Sequence, residues 1–165
     1  MIIRREMAED TAAIRQVIRA AFGGDDEADL VDRLRADGDL MLSLVADQDG
    51  QVVGHVGFSR LSITDGSQST PGVSLAPVAV LPEKQRKGVG RALIEAGHDQ
   101  LRHAGEMVVF VLGDPAYYSR FGYSADGTSA FDCAYVGPYF QWLRLSPLAP
   151  LAGTIAYAPA FGGSG

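Results

Sequence analysis

Apolar residues along this chain recur with two different periods, and the changes of period mark the elements. Ile2 to Arg5 reads as a short first strand. Ile14, Val17, Ile18, Ala21 and Phe22 then follow helical spacing, one stripe over two turns. Gly23-Gly24 ends that helix. Leu30, Val31 and Leu34 predict a second, shorter helix that stops near Gly38. Met41 to Ala46 is an apolar run of strand length, and Asp49-Gly50 is a strong hairpin signal. Val52 to Ser59 reads as its partner strand, Asp65 to Ser69 as a polar loop, and Val73 to Leu81 as a further strand interrupted by Pro77. Gly88 to Ala104 is the clearest helix, with Val89, Ala92, Leu93, Ala96 and Leu101 on its buried face. Met107 to Leu112 is apolar throughout, as in a strand covered on both sides. Pro115 to Phe121 predicts a short helix with proline in its first turn. Strands are expected around Ser129 to Ala134 and Gln141 to Leu145. The tail from Pro147 carries no clear pattern, and residues 160–165 are expected to fray.

This order predicts a mixed α/β fold, largely antiparallel in its first half, with a strand–helix–strand crossover in its second. The 165 residues fit one domain, residues 1–165, without repeat or linker. A chain of that size buries about two thirds of its surface and can build its own core. No apolar run approaches the ~20 residues of a spanning helix, and Met1-Ile2-Ile3-Arg4-Arg5-Glu6 lacks the order of a signal peptide. Cys133 is the only cysteine, which excludes an intrachain disulfide and a cysteine-based zinc cluster. A reducing cytoplasm is the simplest setting. The formal charge of −6 argues against a nucleic-acid binder and favours a cationic or amine-bearing partner. Asp25, Asp26, Glu27, Asp29, Asp32, Asp37 and Asp39 form an acidic run that is either a solvated helix face or an amine-attracting rim. The only lysines, Lys84 and Lys87, both flank a glycine-containing turn.

That turn carries the chemistry. Val78-Ala79-Val80 is strand, Leu81-Pro82 its exit, and Gln85-Arg86-Lys87-Gly88-Val89-Gly90 opens a helix. A helix N-terminus offers unpaired N–H groups and the positive end of the dipole, an anion site made of main chain. Gly88 and Gly90 let the chain turn sharply and let phosphate oxygens approach, while Arg86, Lys87 and Arg91 add charge. The spacing is neither that of a P-loop nor that of a dinucleotide-binding fingerprint. A plain tight turn is the competing account of a bare Gly-x-Gly.

The segment resembles the signature of the GNAT superfamily of acyl-CoA N-acyltransferases, whose pyrophosphate loop reads [QR]-x-x-G-x-[GA]. Gln85, Gly88 and Gly90 match its fixed positions. The stretch Gly113-Asp114-Pro115-Ala116-Tyr117-Tyr118-Ser119-Arg120-Phe121-Gly122-Tyr123 resembles the YhbS-like branch of that superfamily. So do Leu44-Val45-Ala46, Val53-Gly54-His55-Val56 and Ala158-Pro159-Ala160-Phe161. The resemblance implies a mostly antiparallel, twisted sheet splayed at its centre and flanked by helices. Pro77, which has no N–H for the ladder, gives a physical reason for a break there. By the same resemblance, main-chain groups of Val78 and Val80 pair with the pantetheine arm, and an N–H of Val78 or Ala79 polarises the thioester carbonyl. Residues Gln85 to Arg91 hold the CoA pyrophosphate. Tyr118 lies at the CoA sulfur as general acid for the leaving thiolate. The alternative for Tyr117 and Tyr118 is packing of a short helix. Arg120 is either a contact to CoA phosphate or a cap of the helix end, and Met7 stands where the family usually places a Ser or Thr cap.

The implied activity is transfer of an acetyl group from acetyl-CoA to a primary amine of a small molecule or protein, in a ternary complex. Acetyl-CoA serves as donor, and no metal, nucleic acid or membrane takes part. A non-catalytic acyl-CoA-binding regulator and an O- or longer-chain acyltransferase are the alternatives. Many such enzymes place a glutamate on the strand before the loop, but Val73-Ser74-Leu75-Ala76-Pro77-Val78 has no acid. Candidates for the base are Glu27, Asp114 and His55, with a water chain to bulk as a further route for the proton. The competing readings are a solvated acid, a helix cap that adjoins the CoA-binding residues, and a packed, hydrogen-bonded histidine. Cys133 is expected to be a buried thiol, and His98 and His103 lack the spacing of a metal pair. Tyr135, Tyr139, Phe140 and Trp142 are either a homodimer surface or core.

Overall fold

A computed structural model of the chain describes residues 1–162. Its strands are β1 (Ile2–Arg5), β2 (Leu40–Gln48), β3 (Gln51–Asp65), β4 (Gln68–Val80), β5 (Val108–Leu112), β6 (Phe131–Asp132), β7 (Phe140–Arg144) and β8 (Gly153–Ala156). Its helices are α1 (Thr11–Phe22), α2 (Asp26–Ala36), α3 (Val89–His103) and α4 (Pro115–Tyr118). The fold is mixed α/β, with an eight-stranded, mostly antiparallel sheet ordered β1-β2-β3-β4-β5-β7; β8 pairs with β3 and β6. Residues 1–58 with 76–100 form one compact unit, and residues 59–75 with 101 onward form another.

In the first unit the turn chemistry sets the register. Asp49 and Gly50 both take left-handed backbone, φ 53° and 86°, the geometry a two-residue hairpin needs. β1 lies antiparallel on β2, from Ile2 opposite Asp47 to Arg5 opposite Leu44. Ile14, Val17 and Ile18 of α1 and Ala28 and Val31 of α2 form one core with Val45, Val52 and Ala79. Gly23 ends α1 in left-handed backbone at φ 78°, and its N–H caps Arg19 O. Phe22, assigned to the stripe, is 47% exposed at that end. The buried face of α3 in this unit comprises Val89, Leu93, Ile94, Gly97 and His98; Ala92 and Ala96 are only half-buried. The shift has a cause at Gly97, where a Cβ would meet the Phe58 ring. The missing side chain lets the helix ride over that ring.

In the second unit β5 is central. It pairs in parallel with β4 over Val73–Leu75 and antiparallel with β7 over its whole length, Val108 opposite Arg144 to Leu112 opposite Phe140. The parallel ladder ends at Leu75, opposite Val111. Arg60 donates to both carboxylate oxygens of Glu106, at 2.7 and 2.9 Å, and to Gly72 O at 3.2 Å. Phe110, Phe131, Phe140 and Trp142 pack together, and Trp142 Nε1 donates to Asp126 O at 2.7 Å. Phe140 and Trp142 are therefore core; Tyr139 is 61% exposed.

Several sequence expectations change. The polar loop of residues 65–69 shrinks to a turn at Gly66 and Ser67, since Gln68-Ser69-Thr70 already belongs to β4. β3 likewise runs on to Asp65. A ladder satisfies the backbone whatever the side chains are, so polar strand ends escape a hydrophobic pattern. The strand expected over residues 129–134 is only Phe131–Asp132, preceded by a 3-10 turn at Thr128–Ala130. The unassigned tail contains β8, antiparallel to β3 from Ser62 opposite Ala156 to Thr64 opposite Thr154. Of the residues expected to fray, Ala160 and Phe161 lie in a 3-10 turn, Pro159–Phe161, and 163–165 lie outside the described residues.

The Gly97–Phe58 contact gives a direct test. Gly97→Ala should lower stability by about 1–3 kcal/mol through overpacking. Combined with Phe58→Leu, the two costs should be less than additive in urea unfolding.

Candidate active site

The expected site residues fall into two groups, one in each unit. The first is the turn that opens α3. Leu81 N–H donates to Val53 O at 2.9 Å, and Pro82–Lys84 makes a single 3-10 turn. Gln85 returns to extended backbone, and its Nε2 donates to Val80 O at 3.1 Å. Arg86 (φ 62°) and Gly88 (φ 85°) are both left-handed. That conformation costs a non-glycine residue about 1–2 kcal/mol and costs glycine little. Among the described residues, the backbone N–H groups of residues 86–91 donate to no backbone carbonyl; the first to do so is Ala92, to Gly88 O at 3.0 Å. Residues Gln85, Arg86, Lys87 and Gly88 are exposed. Free N–H groups at the positive end of a helix are the kind of main-chain surface that attracts anions. Arg91 is engaged by Glu95 at 2.8 Å.

Two features fix where this turn starts. Val89 is buried, and a Cβ on Gly54 would lie 2.9 Å from Val89 Cγ1 and 3.0 Å from Leu93 Cδ1. Glycine at position 54 thus lets the first turn of α3 settle against β3. On β4, Ala79 is buried while Val78 and Val80 are half-buried.

The second group is α4 and its continuation. Asp114 caps it, its carboxylate accepting from Ala116 N at 3.0 Å, and Gly122 stops the following 3-10 turn in left-handed backbone. Tyr118 is 9% exposed. Its ring meets Tyr117 edge-on at 5.0 Å and Tyr123 edge-on at 5.8 Å. Burial, with the neighbouring Tyr117 phenol, pushes the Tyr118 phenol up to about 12. It therefore stays protonated through the neutral range, a donor and not a base. Arg120 lies over the Tyr117 ring at 5.5 Å, a cation–π contact.

A family model described as the acetyltransferase (GNAT) domain matches residues 3–125. The chain belongs to the GNAT acetyltransferases. It is 38% identical to the uncharacterized N-acetyltransferase YhbS of Escherichia coli (strain K12), over 98% of both chains. Among solved structures, that of E. coli YhbS in complex with CoA matches with a TM-score of 0.89 and 37% identity, covering 99% of this chain and 93% of that one. A GNAT family acetyltransferase from Brucella melitensis in complex with acetyl-CoA matches with a TM-score of 0.83 and 43% identity, covering 97% of each. The chain is accordingly an acyltransferase of the N-acetyltransferase kind.

Within this GNAT chain the candidates for a base separate. Asp114 is spent on its cap. Glu27 lies half-buried in the first turn of α2. The acidic run around it is largely matched by arginines: Arg15 reaches Asp29 and Asp32 at 2.6 and 2.8 Å, Arg19 reaches Asp25 at 2.6 Å, and Arg35 reaches Asp32 at 2.9 Å. Cys133 is half-buried, and burial raises its thiol. Among the described residues no group of three or more His, Cys, Asp or Glu side chains is placed to hold a metal ion. Nor is any of their helices long and apolar enough to cross a membrane.

His55 belongs to a buried chain that sequence spacing does not reveal. Its Nε2 lies 2.8 Å from Ser43 Oγ. Ser43 donates to Glu6, and Arg35 clamps that carboxylate at 2.7 and 3.0 Å. Since the Ser43 proton goes to Glu6, its oxygen accepts from His55 Nε2–H. Nδ1 is then the bare nitrogen, and it has no hydrogen-bond partner among the described residues. The side chain is fully buried, and desolvation pushes its pKa down to about 4, with Glu6 opposing and Arg35 assisting. Burial pulls the Glu6 carboxyl up, but hydrogen bonds from Arg35 and Ser43 more than offset this and leave it below its ordinary range.

The unfolded state therefore takes up the His55 proton near pH 6.5, and the folded state only near pH 4. At about 1.4 kcal/mol per unit, stability should fall by about 3 kcal/mol as pH drops from 7 to 4. Urea unfolding of His55→Leu should show a shallower slope between pH 4.5 and 6.5 than the natural chain. An unchanged slope would assign the effect elsewhere.

Proposed function

We propose that this chain transfers an acetyl group from acetyl-CoA to a primary amine of a small molecule or a protein, directly, in a ternary complex, as one acyltransferase domain. The observation that carries the reading is the row of undonated N–H groups over residues 86–91, at the start of a helix fifteen residues long. The relatives solved with CoA and acetyl-CoA support the choice of anion.

In this reading, residues Gln85 to Arg91 take the pyrophosphate through the free N–H groups of residues 86–91, with Arg86 and Lys87 adding charge that no ion pair among the described residues neutralises. Half-buried Val78 and Val80 lend main-chain groups to the pantetheine arm, and an N–H of Val78 or Ala79 polarises the thioester carbonyl. Tyr118 donates to the sulfur as the C–S bond breaks. A phenol near 12 is a much weaker acid than a thiol near 8.5. Its contribution is thus a hydrogen bond to the developing thiolate, while the proton shed by the acylated amine nitrogen, not the phenol's own, balances the departing sulfur. Tyr117 and Arg120 line the donor side, and Asp114 holds α4 in place. Glu27 receives the proton of the amine. The acceptor amine is cationic in water, which suits a chain of net charge −6.

Gly88→Asp and Gly88→Asn test the donor site as a pair. Both side chains tolerate left-handed backbone, and an added Cβ meets nothing within 4 Å, but only the first adds a negative charge. In calorimetric titration with acetyl-CoA, the aspartate should weaken binding by about 10- to 100-fold, with the asparagine much closer to the natural chain. Equal affinity in all three would remove the anion from this turn. For Tyr118→Phe, thiol release from acetyl-CoA across a panel of amines should show kcat down by about 100-fold, with little change in KM for acetyl-CoA.

A further inference from the structure

We infer that Gly113 and Gln141 are positioning residues for Tyr118: a bare Cα at the end of β5, clamped by a buried amide, is the seat on which the phenol ring rests. The inference rests on the role proposed above for Tyr118 and adds the residues that set its place.

Gly113 has no conformational reason to be glycine, because it does not adopt the positive φ that Gly88, Gly122 and several other glycines do. The reason is spatial. A Cβ there would lie 2.5 Å from Tyr118 Cε2, 3.1 Å from Cδ2 and 3.5 Å from Cζ. All three contacts are to one ring, so the Tyr118 ring occupies the space the side chain would fill.

The seat itself is held from both sides of the peptide. Gly113 N–H donates to Tyr139 O at 3.0 Å. Gln141 Nε2 donates to Gly113 O at 3.0 Å and to Tyr139 O at 3.3 Å. Gln141 is 1% exposed, and a buried amide is costly unless it is bonded. The neighbouring positions of β5 and β7 are apolar, so a polar side chain at position 141 needs an explanation, and the clamp supplies it. Tyr117 and Tyr123 close the ring in edge-on, and Tyr123 is 3% exposed. A methyl at position 113 therefore has one way to be accommodated: the Tyr118 ring moves outward, toward water.

The test follows Tyr118 by NMR and by kinetics. Gly113→Ala should shift the Tyr118 phenol titration down toward the ordinary value, and lower kcat by about 10-fold or more, with KM for acetyl-CoA moving less. In a Tyr118→Phe background the same alanine should cost about 2-fold or less, because the group it displaces is already gone. Gln141→Met keeps the volume and removes both hydrogen bonds. It should move the titration and kcat in the same directions, and it serves as the reading if the alanine variant does not fold. An unmoved Tyr118 titration in a folded variant overturns the proposal, and so does an equal loss of kcat with and without the phenol hydroxyl. Full activity in Tyr118→Phe, with the titration still shifted by Gly113→Ala, would leave the seat in place and remove only the catalytic role of the phenol.

Discussion

An α-helix cannot satisfy its own first N–H groups, and at α3 this chain leaves that deficit open behind a glycine-containing turn. Asp114 meets it with a side chain at α4, whereas the residues before α1 and α2 supply no side-chain cap. At α3 no side chain among the described residues steps in. Instead Gln85 folds back on Val80, Arg86 and Gly88 take left-handed backbone, and Val89 anchors beside Gly54. The N–H groups of residues 86–91 are thereby left without a backbone acceptor among the described residues. For the anion proposed above, a turn already shaped by the fold lowers the ordering cost of binding, the usual origin of affinity in preorganised sites.

The same economy of side chains recurs where helices meet strands. Gly54, Gly97 and Gly113 each vacate the volume of one neighbour: the first turn of α3, the Phe58 ring and the Tyr118 ring. None of the three has a positive φ. Their identity is set by what lies above them, not by the backbone they adopt. In the second unit this places a phenol among three aromatic rings, where burial makes it a persistent proton donor.

Charge is handled differently. The acids of α2 face a matching set of arginines, so the negative charge of the chain is less concentrated there than its sequence suggests. Glu6, Ser43 and His55 form a buried polar chain whose outer end is clamped by Arg35 and whose inner end is an unpartnered imidazole nitrogen. The histidine is kept neutral by desolvation, which makes it a source of acid sensitivity in the fold.

Elements with a strong local signal were legible in the sequence. The Asp-Gly hairpin, the α1 stripe with its glycine stop and the apolar run of β5 all come from interactions within a few residues. So does the turn before α3, whose glycine spacing is local, although the anion proposed for it comes from the family resemblance. What only the tertiary structure decided depends on partners distant along the chain. β8 is a strand because β3, about ninety residues earlier, offers it a ladder. Gln141 is a clamp because antiparallel pairing brings β7 beside the end of β5. Gly113 is in sequence only the first residue of a family-like stretch, and the Tyr118 ring lying on it gives the reason for glycine there. Spacing along a chain records periodicity and turn chemistry; which side chain fills which space is fixed only when remote segments pack.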